Sequence, residues 1–381
     1  MPSKHPRHPY PFSTTHHSRR RFLKTSTAAL TGLALTNCHR NITAGGAAGS
    51  GQNTLYIYTW ANYADQEMTK LFTQRTGIQV IFDVFDSNEV MLTKLQSGGG
   101  KVYSIIYPTD YMVSQMTGLG MLTKLDPDRL TGLQNLRSRW TDPPYDRHNA
   151  HSVPFSTGTT GLLYNRDTGI GQPEDWDFLW DNRQTLSRRI TLIDDMREVV
   201  GAALKSLGYS YNTNDPGQIK AAYRKLLELK PHIAAFKTNG FEDEILSGDL
   251  EVSMAYSIDA IPLIRANNRL EYLIPRSGTS IWTDTMAIPT SAPNGDAAYQ
   301  WINFMLEPEI ARVMTERFFL GTVNQAALDR LSPELKNNRS LYPKAETLAN
   351  SETIQPLTTA SNDRSEEHTS ELQSPCNLVC R

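Results

Sequence analysis

Residues 54–107 read TLYIYTWANYADQEMTKLFTQRTGIQVIFDVFDSNEVMLTKLQSGGGKVYSIIY, and the order of signals within them decides the fold. Leu55-Tyr56-Ile57-Tyr58 is a short β-prone run. Met68, Leu71 and Phe72 follow at helical spacing, and Gly77 ends that helix. Ile78 to Val84 is strand-like. Ser87 is placed to cap a helix carrying Val90, Met91 and Leu95, which Gly98-Gly99-Gly100 stops; Val102 to Tyr107 is strand-like again. This β-α-β-α-β order predicts an α/β fold with a largely parallel sheet and helices on both faces.

The pattern returns in the middle of the chain. Thr191-Leu192-Ile193 runs into the Asp194-Asp195 turn and a helix to about Leu207. Asp215-Pro216-Gly217-Gln218 has the order of a helix start: a capping acid, Pro at the first helical position, and Gln where it can reach back. Ile219, Ala222, Tyr223 and Leu226 then share one apolar face, and Pro231 closes the helix. Val252 to Tyr256 and Trp282 to Ile288 are further strand candidates, followed by two helices split near Pro308. Ligands of open α/β sheets sit outside the carboxyl ends of the strands. Tyr107-Pro108, Ile193-Asp194 and Tyr256-Ser257 all fall at such ends, which predicts a shared cleft.

The N-terminus carries an address. Ser18-Arg19-Arg20-Arg21-Phe22-Leu23-Lys24 precedes a weakly apolar run from Thr25 to Thr36 that is too short to span a bilayer, the arrangement of a twin-arginine export signal over residues 1–38; the competing reading is a basic arm that binds anionic surfaces. Leu35 lies three residues before Cys38, as in a lipoprotein cleavage box, but Asn37 stands where such boxes prefer Gly or Ala. Lipid anchoring at Cys38, loss of Cys38 with the signal, and a free thiol all stay open. Residues 39–52 contain a Gly/Ala/Ser-rich tether. None of the three cysteines lies between residues 39 and 375, so the folded part holds no disulfide or thiolate metal site. A net charge of −2 argues against a nucleic-acid partner. Residues 364–381 keep no helical or strand period; they resemble translated sequencing-adapter read-through and are expected to be non-native.

At this point the chain resembles a family. Leu55 to Tyr63, Ser87-Asn88-Glu89, Asp194-Asp195-Met196-Arg197-Glu198-Val199, Ile281-Trp282-Thr283-Asp284-Thr285-Met286-Ala287-Ile288-Pro289 and Leu341-Tyr342-Pro343-Lys344-Ala345-Glu346 are similar to stretches of the periplasmic spermidine/putrescine-binding proteins of polyamine ABC importers. The resemblance implies a two-lobed periplasmic-binding-protein fold (type II) with the ligand cleft between lobes, 53–160 with 282–329 forming the first lobe and 161–281 with 330–360 the second. It implies a polyamine ligand, ABC permease subunits in the membrane as partners, a monomer, and a periplasmic location.

The same resemblance nominates the site. Asp195 and Glu198 are three apart and share a helix face; by spacing alone they are ordinary first-turn acids that favour the helix dipole, whereas the resemblance makes both face the ligand, with Asp194 expected to cap the helix and Arg197 to brace the turn. Trp282 and Asp284 alternate along a strand and so point to one face; the resemblance puts both in the pocket, Asp284 gripping an amine. By resemblance Trp60 and Tyr63 wall the pocket, and Thr109 and Tyr111 contact the ligand from a loop after Pro108. Tyr256 stands where spermidine binders commonly have Trp, and Asp259 where putrescine-preferring relatives carry an acid, with a surface acid at a helix start as its competing reading. Leu320 replaces a ligand-contacting Tyr of some relatives, and the resemblance leads to the expectation that the polar contact from the family's last helix is lacking here.

Catalysis has little support. Asp194/Asp195 and Glu242/Asp243/Glu244 are carboxylate pairs such as glycosidases use, but a solvated acidic helix face explains the second group. Residues 39–363 hold no Gly-x-Ser-x-Gly elbow, Gly-rich phosphate loop or His-Glu-x-x-His. No catalytic residue, cofactor or metal is expected. Another small cationic metabolite remains the closest rival ligand.

Overall fold

The computed structural model describes residues 53–61, 63, 65–167 and 169–356. The export signal, Cys38, the tether and the 364–381 tail lie outside the described residues. Among the described residues ten strands form one curled sheet: β1 (Thr54–Thr59), β2 (Gln79–Val84), β3 (Ile105–Ile106), β4 (Ser152–Asn165), β5 (Ile190–Leu192), β6 (Ile233–Phe236), β7 (Val252–Tyr256), β8 (Leu270–Leu273), β9 (Ile281–Ala287) and β10 (Gly321–Thr322). Their order is β2-β1-β3-β9-β4-β7-β5-β6, with β8 and β10 both paired to β4.

The first β-α-β-α-β unit forms in the expected order, but the strand expected over Val102 to Tyr107 is only Ile105–Ile106, with Gly99–Val102 a 3-10 turn before it. Helix Gln66–Thr76 ends at Gly77, which takes the left-handed φ of 75° that a side chain disfavours. Ser87 caps helix Asn88–Gln96 by accepting from the Val90 amide. β1 pairs in parallel with both β2 and β3. In the second unit β5 pairs in parallel with β6 and β7. Helix Pro216–Leu229 starts at Asp215, whose side chain accepts from the Gly217 and Gln218 amides.

The largely parallel sheet needs correcting to a mixed one. β9 runs antiparallel to β3 and β4, and β4 runs antiparallel to β7 and β8. The reason is β4, which joins the two halves: Ser152 to Thr159 pair with β9, and Thr160 to Tyr164 pair with β7. A strand serving two halves is covered on both faces. Its sequence, Ser152-Val153-Pro154-Phe155-Ser156-Thr157-Gly158-Thr159-Thr160-Gly161-Leu162-Leu163-Tyr164-Asn165, shows no in–out alternation, and nearly all of it is buried.

Separate apolar cores lie under the two halves. In the first, Phe72 meets Trp301 and Phe304 edge-on, with Phe72 and Trp301 ring centres 4.9 Å apart. Such contacts add about 0.5–1.5 kcal/mol beyond area burial. In the second, Trp176, Leu186, Ile190 and Ala203 are fully enclosed. Tyr256 packs against both cores. No helix among the described residues is long and apolar enough to cross a membrane.

Candidate functional site

A cleft of about 610 Å³, its mouth included, opens where the two halves meet. Trp60 and Tyr63 come to it just after β1. Thr109 and Tyr111 come from the start of helix Asp110–Gly118, and Asp195 and Glu198 from the start of helix Met196–Ser206. Tyr256 ends β7, Asp259 lies in helix Ser257–Ala266, and Trp282 and Asp284 share one face of β9. Every residue nominated from the sequence therefore lines one cavity.

Asp284 is held from several sides. Its Oδ1 accepts from the Thr109 hydroxyl at 2.9 Å and its Oδ2 from the Tyr63 hydroxyl. Asn88 fixes Thr109 in turn: its amide nitrogen donates to Thr109 Oγ1 at 2.9 Å, and its oxygen accepts from the Thr109 amide at 3.1 Å. Burial raises the Asp284 carboxyl to about 6, while the Tyr63 and Thr109 hydroxyls hold it down.

Asp195 and Glu198 are held differently. Asp195 is the N-cap of its helix; Oδ1 accepts from the Arg197 amide at 2.9 Å and the Glu198 amide at 3.2 Å. The expected cap, Asp194, is corrected to Asp195, which both caps and lines the cleft. The cap needs extended backbone immediately before the first helical residue, and Asp195, at φ −138° and ψ 115°, supplies it. Both Glu198 oxygens lie 2.8 Å from the Ser280 hydroxyl. Burial, then the neighbouring Asp195 charge, raises Glu198 to about 8. Burial also raises Asp195, and the amides it caps oppose the shift.

The rings complete the wall. Tyr256 meets Trp282 edge-on at 5.9 Å. The Trp282 indole fits because residue 158, its partner across β4, is Gly: a Cβ there would lie 2.3 Å from the ring. Burial raises Asp259 to about 7, with Glu242 adding to it. No Lys, Arg or His is among the described lining residues. Arg197 is buried nearby but faces elsewhere, over the Tyr111 ring at 5.2 Å and donating to the Gln355 carbonyl at 2.9 Å. It thus ties the turn to other segments.

The sequence matches the profile of the bacterial extracellular solute-binding proteins over residues 67–343. The chain belongs to that family. This solute-binding protein is 36% identical over 307 residues to the spermidine/putrescine-binding periplasmic protein of Salmonella typhimurium, a match covering 80% of this chain and 88% of the relative. It is 33% identical over 327 residues to the putrescine/cadaverine-binding protein of Pseudomonas aeruginosa, covering 82% and 92% of the two chains. Among solved structures, the substrate-binding protein of a spermidine/putrescine ABC transporter from Streptococcus pneumoniae superimposes with a TM-score of 0.71 at 34% identity, over 84% of this chain and 99% of the other. A structure from Listeria monocytogenes reaches a TM-score of 0.81 at 35% identity, over 84% and 99%. The family resemblance and the two-lobed fold expected from the sequence are both borne out.

Some lining residues were not nominated from the sequence: Asn88, Thr238, Asn239, Ile258 and Ile354. Asn88 lay within the stretch Ser87-Asn88-Glu89 that carried the resemblance, but its signal there was only that of a capped helix. Glu89, beside it, accepts from the Tyr111 hydroxyl at 3.0 Å, and burial followed by the Asp195 charge raises it to about 7. Leu320 is buried in the first core and does not line the cleft. Tyr111 belongs to a helical first turn that Thr109 precedes, rather than to a loop.

Proposed function

We propose that this solute-binding protein captures a protonated polyamine, putrescine or spermidine, outside the cytoplasm and delivers it to the permease subunits of an ABC importer. One observation carries the reading. Asp195, Glu198, Asp259 and Asp284 line a single cleft together with Trp60, Tyr111, Tyr256 and Trp282, and no basic side chain is among the described lining residues. An anion is repelled by such a wall, and a neutral sugar, although it can hydrogen-bond to the acids and stack on the rings, brings no charge to balance four carboxylates. A flexible polycation gains from both components: carboxylates bind its ammonium groups, and rings cover its methylenes and attract its charge through their faces.

In this reading Asp284 anchors one ammonium and Asp195 with Glu198 receives another, while Trp60, Trp282 and Tyr256 flank the stem. Tyr63, Thr109, Tyr111 and Asp259 complete the contacts. The lobes close on the ligand and exclude water, which lowers the local dielectric and strengthens each ion pair. Binding then shifts the open–closed equilibrium by the difference in affinity for the two forms. The change of partners along β4 supports dividing the folded chain into 53–160 with 282–329 and 161–281 with 330–360. The protein acts as a monomer by binding alone, without catalysis. The paired arginines after Ser18 support export by the twin-arginine route to the periplasm, with Cys38 as the site of any lipid anchor.

A ligand panel tests the assignment. Putrescine and spermidine raise the melting temperature of the purified protein, whereas sulfate, phosphate and hexoses leave it in place. A shift with an oxyanion or a sugar, and none with either polyamine, sinks the proposal.

A further inference from the structure

Behind the cleft wall lies a second chamber of about 480 Å³, its mouth included. Chain alternation separates the two. Thr109 and Tyr111 line the cleft while Asp110 between them lines the chamber; Trp282 and Asp284 line the cleft while Thr283 between them lines the chamber. Among the described residues only Ile354 borders both cavities.

Two polar groups in the chamber wall lack partners. Asp110 is 2% exposed. Its Oδ1 accepts from the Tyr111 amide at 2.8 Å, but its Oδ2 has no hydrogen-bond partner; the Thr283 amide approaches without reaching hydrogen-bond geometry. The buried Tyr145 hydroxyl has none either. Buried polar atoms are nearly always satisfied, so an orphaned pair on one cavity asks for a ligand. The Trp140 indole N–H donates to Thr283 Oγ1 at 3.1 Å, which holds that ring against the same space. A carboxylate oxygen and a phenol oxygen supply the acceptors that the N–H bonds of one primary ammonium group need; the Trp140 ring is already covered by Arg137 and Arg139, and Arg139 also lines the chamber, so the two oxygens alone carry the match.

We infer that this chamber is a second amine subsite, in which Asp110 and Tyr145 hold one primary ammonium group. The inference rests on the polyamine reading of the cleft. The ammonium has two possible sources: the far end of a polyamine that begins in the cleft and passes Ile354, or a separate small monoamine that enters beside the exposed Arg139.

Calorimetry on the wild-type protein and Asp110→Asn distinguishes them. Asn keeps the acceptor for the Tyr111 amide and removes the carboxyl group that an ammonium would hold ionised. For a polyamine arm, Asp110→Asn weakens spermine, a tetramine, by about tenfold and leaves putrescine within about twofold. Ile354→Phe, at the border that the two cavities share, then weakens spermine as well. For a separate monoamine, methylammonium raises the melting temperature of the putrescine-saturated wild type but not of Asp110→Asn. The inference is overturned if Asp110→Asn changes neither readout, as expected of a chamber holding only water, or if it weakens putrescine and spermine alike. Failure of the wild type to bind putrescine at all removes the functional reading and this inference with it.

Discussion

β9 and the first turn of helix Met196–Ser206 each bring carboxylates to the same cleft, and they hold them by opposite means. Asp284 sits in a ladder between β3 and β4, with hydroxyl donors from Tyr63 and Thr109 already on its oxygens. It stays near 6, ionised at neutral pH. Glu198 has the Ser280 hydroxyl but also the Asp195 charge beside it, and stands at about 8, mostly protonated at the same pH. The strand is a preorganised anion; the helix turn is an acid that ionises when a cation arrives. One cleft thus combines fixed charge, which orients a ligand, with charge that appears on demand.

The comparison breaks most sharply at Asp284. Asp284→Ala is expected to weaken polyamine binding by ~10²-fold or more, because removing one partner of a buried charge pair costs roughly 2–5 kcal/mol and ~1.4 kcal/mol is tenfold. Isothermal calorimetry reads this directly, and an unchanged affinity would falsify the assignment of the anchor. Trp282→Leu keeps the carboxylate and removes the ring. It is expected to cost about 2 kcal/mol at most, the worth of a desolvated cation–π contact, which places it below Asp284→Ala.

How much of this was legible beforehand follows the same division. The first unit announced itself, since Gly77 and Ser87 mark helix limits by chemistry that acts locally. Trp282 and Asp284 could be paired from strand period alone. β4 was not visible, because a strand buried on both faces, with Ser, Thr and Gly at its centre, gives no alternation to detect, and its antiparallel pairings went with it. Asn88 was missed for another reason: its task is to orient Thr109 across 21 residues of sequence, and no local pattern encodes a hydrogen bond of that separation. Asp194 and Asp195 are adjacent acids before one helix, and only the backbone angles decide which of them caps.

A pH titration sharpens the contrast between the two regions. Glu198 must ionise to meet an ammonium, so binding releases protons. The primary ammonium groups of putrescine stay charged well above pH 8, so with putrescine as ligand only the protein titrates in this window. Affinity is expected to fall as pH drops from 8 towards 6, by at most about tenfold per pH unit for one proton released. The wild type's binding enthalpy varies with the ionisation enthalpy of the buffer, and Glu198→Gln makes both dependences shallower, with Asp259, at about 7, carrying the remainder. The free protein shows the opposite sign: a raised folded-state value makes Glu198 destabilising as pH climbs from the ordinary carboxyl range near 4 to about 8. Glu198→Gln therefore melts higher than the free wild type at pH 8, by a difference of at least ~1 kcal/mol, and equally at pH 4. Identical slopes for wild type and variant would mean that the proton belongs elsewhere.

The smallest effect separates the two tasks of Asp195. As a cap, it satisfies amides of the first helical turn, and Asn does this about as well as Asp. As a cleft acid, it needs charge, which Asn lacks. Asp195→Ala is expected to lower stability by about 0.5–2 kcal/mol, the usual cost of a lost cap, and to weaken polyamine binding. Asp195→Asn is expected to keep wild-type stability or exceed it, since it leaves the cap bonds in place and relieves the repulsion that raises Glu198. It should still weaken binding. Thermal melts beside calorimetry on both variants decide the matter: if Asp195→Asn binds as tightly as wild type, Asp195 is only a cap, and the responsive half of the cleft reduces to Glu198 alone.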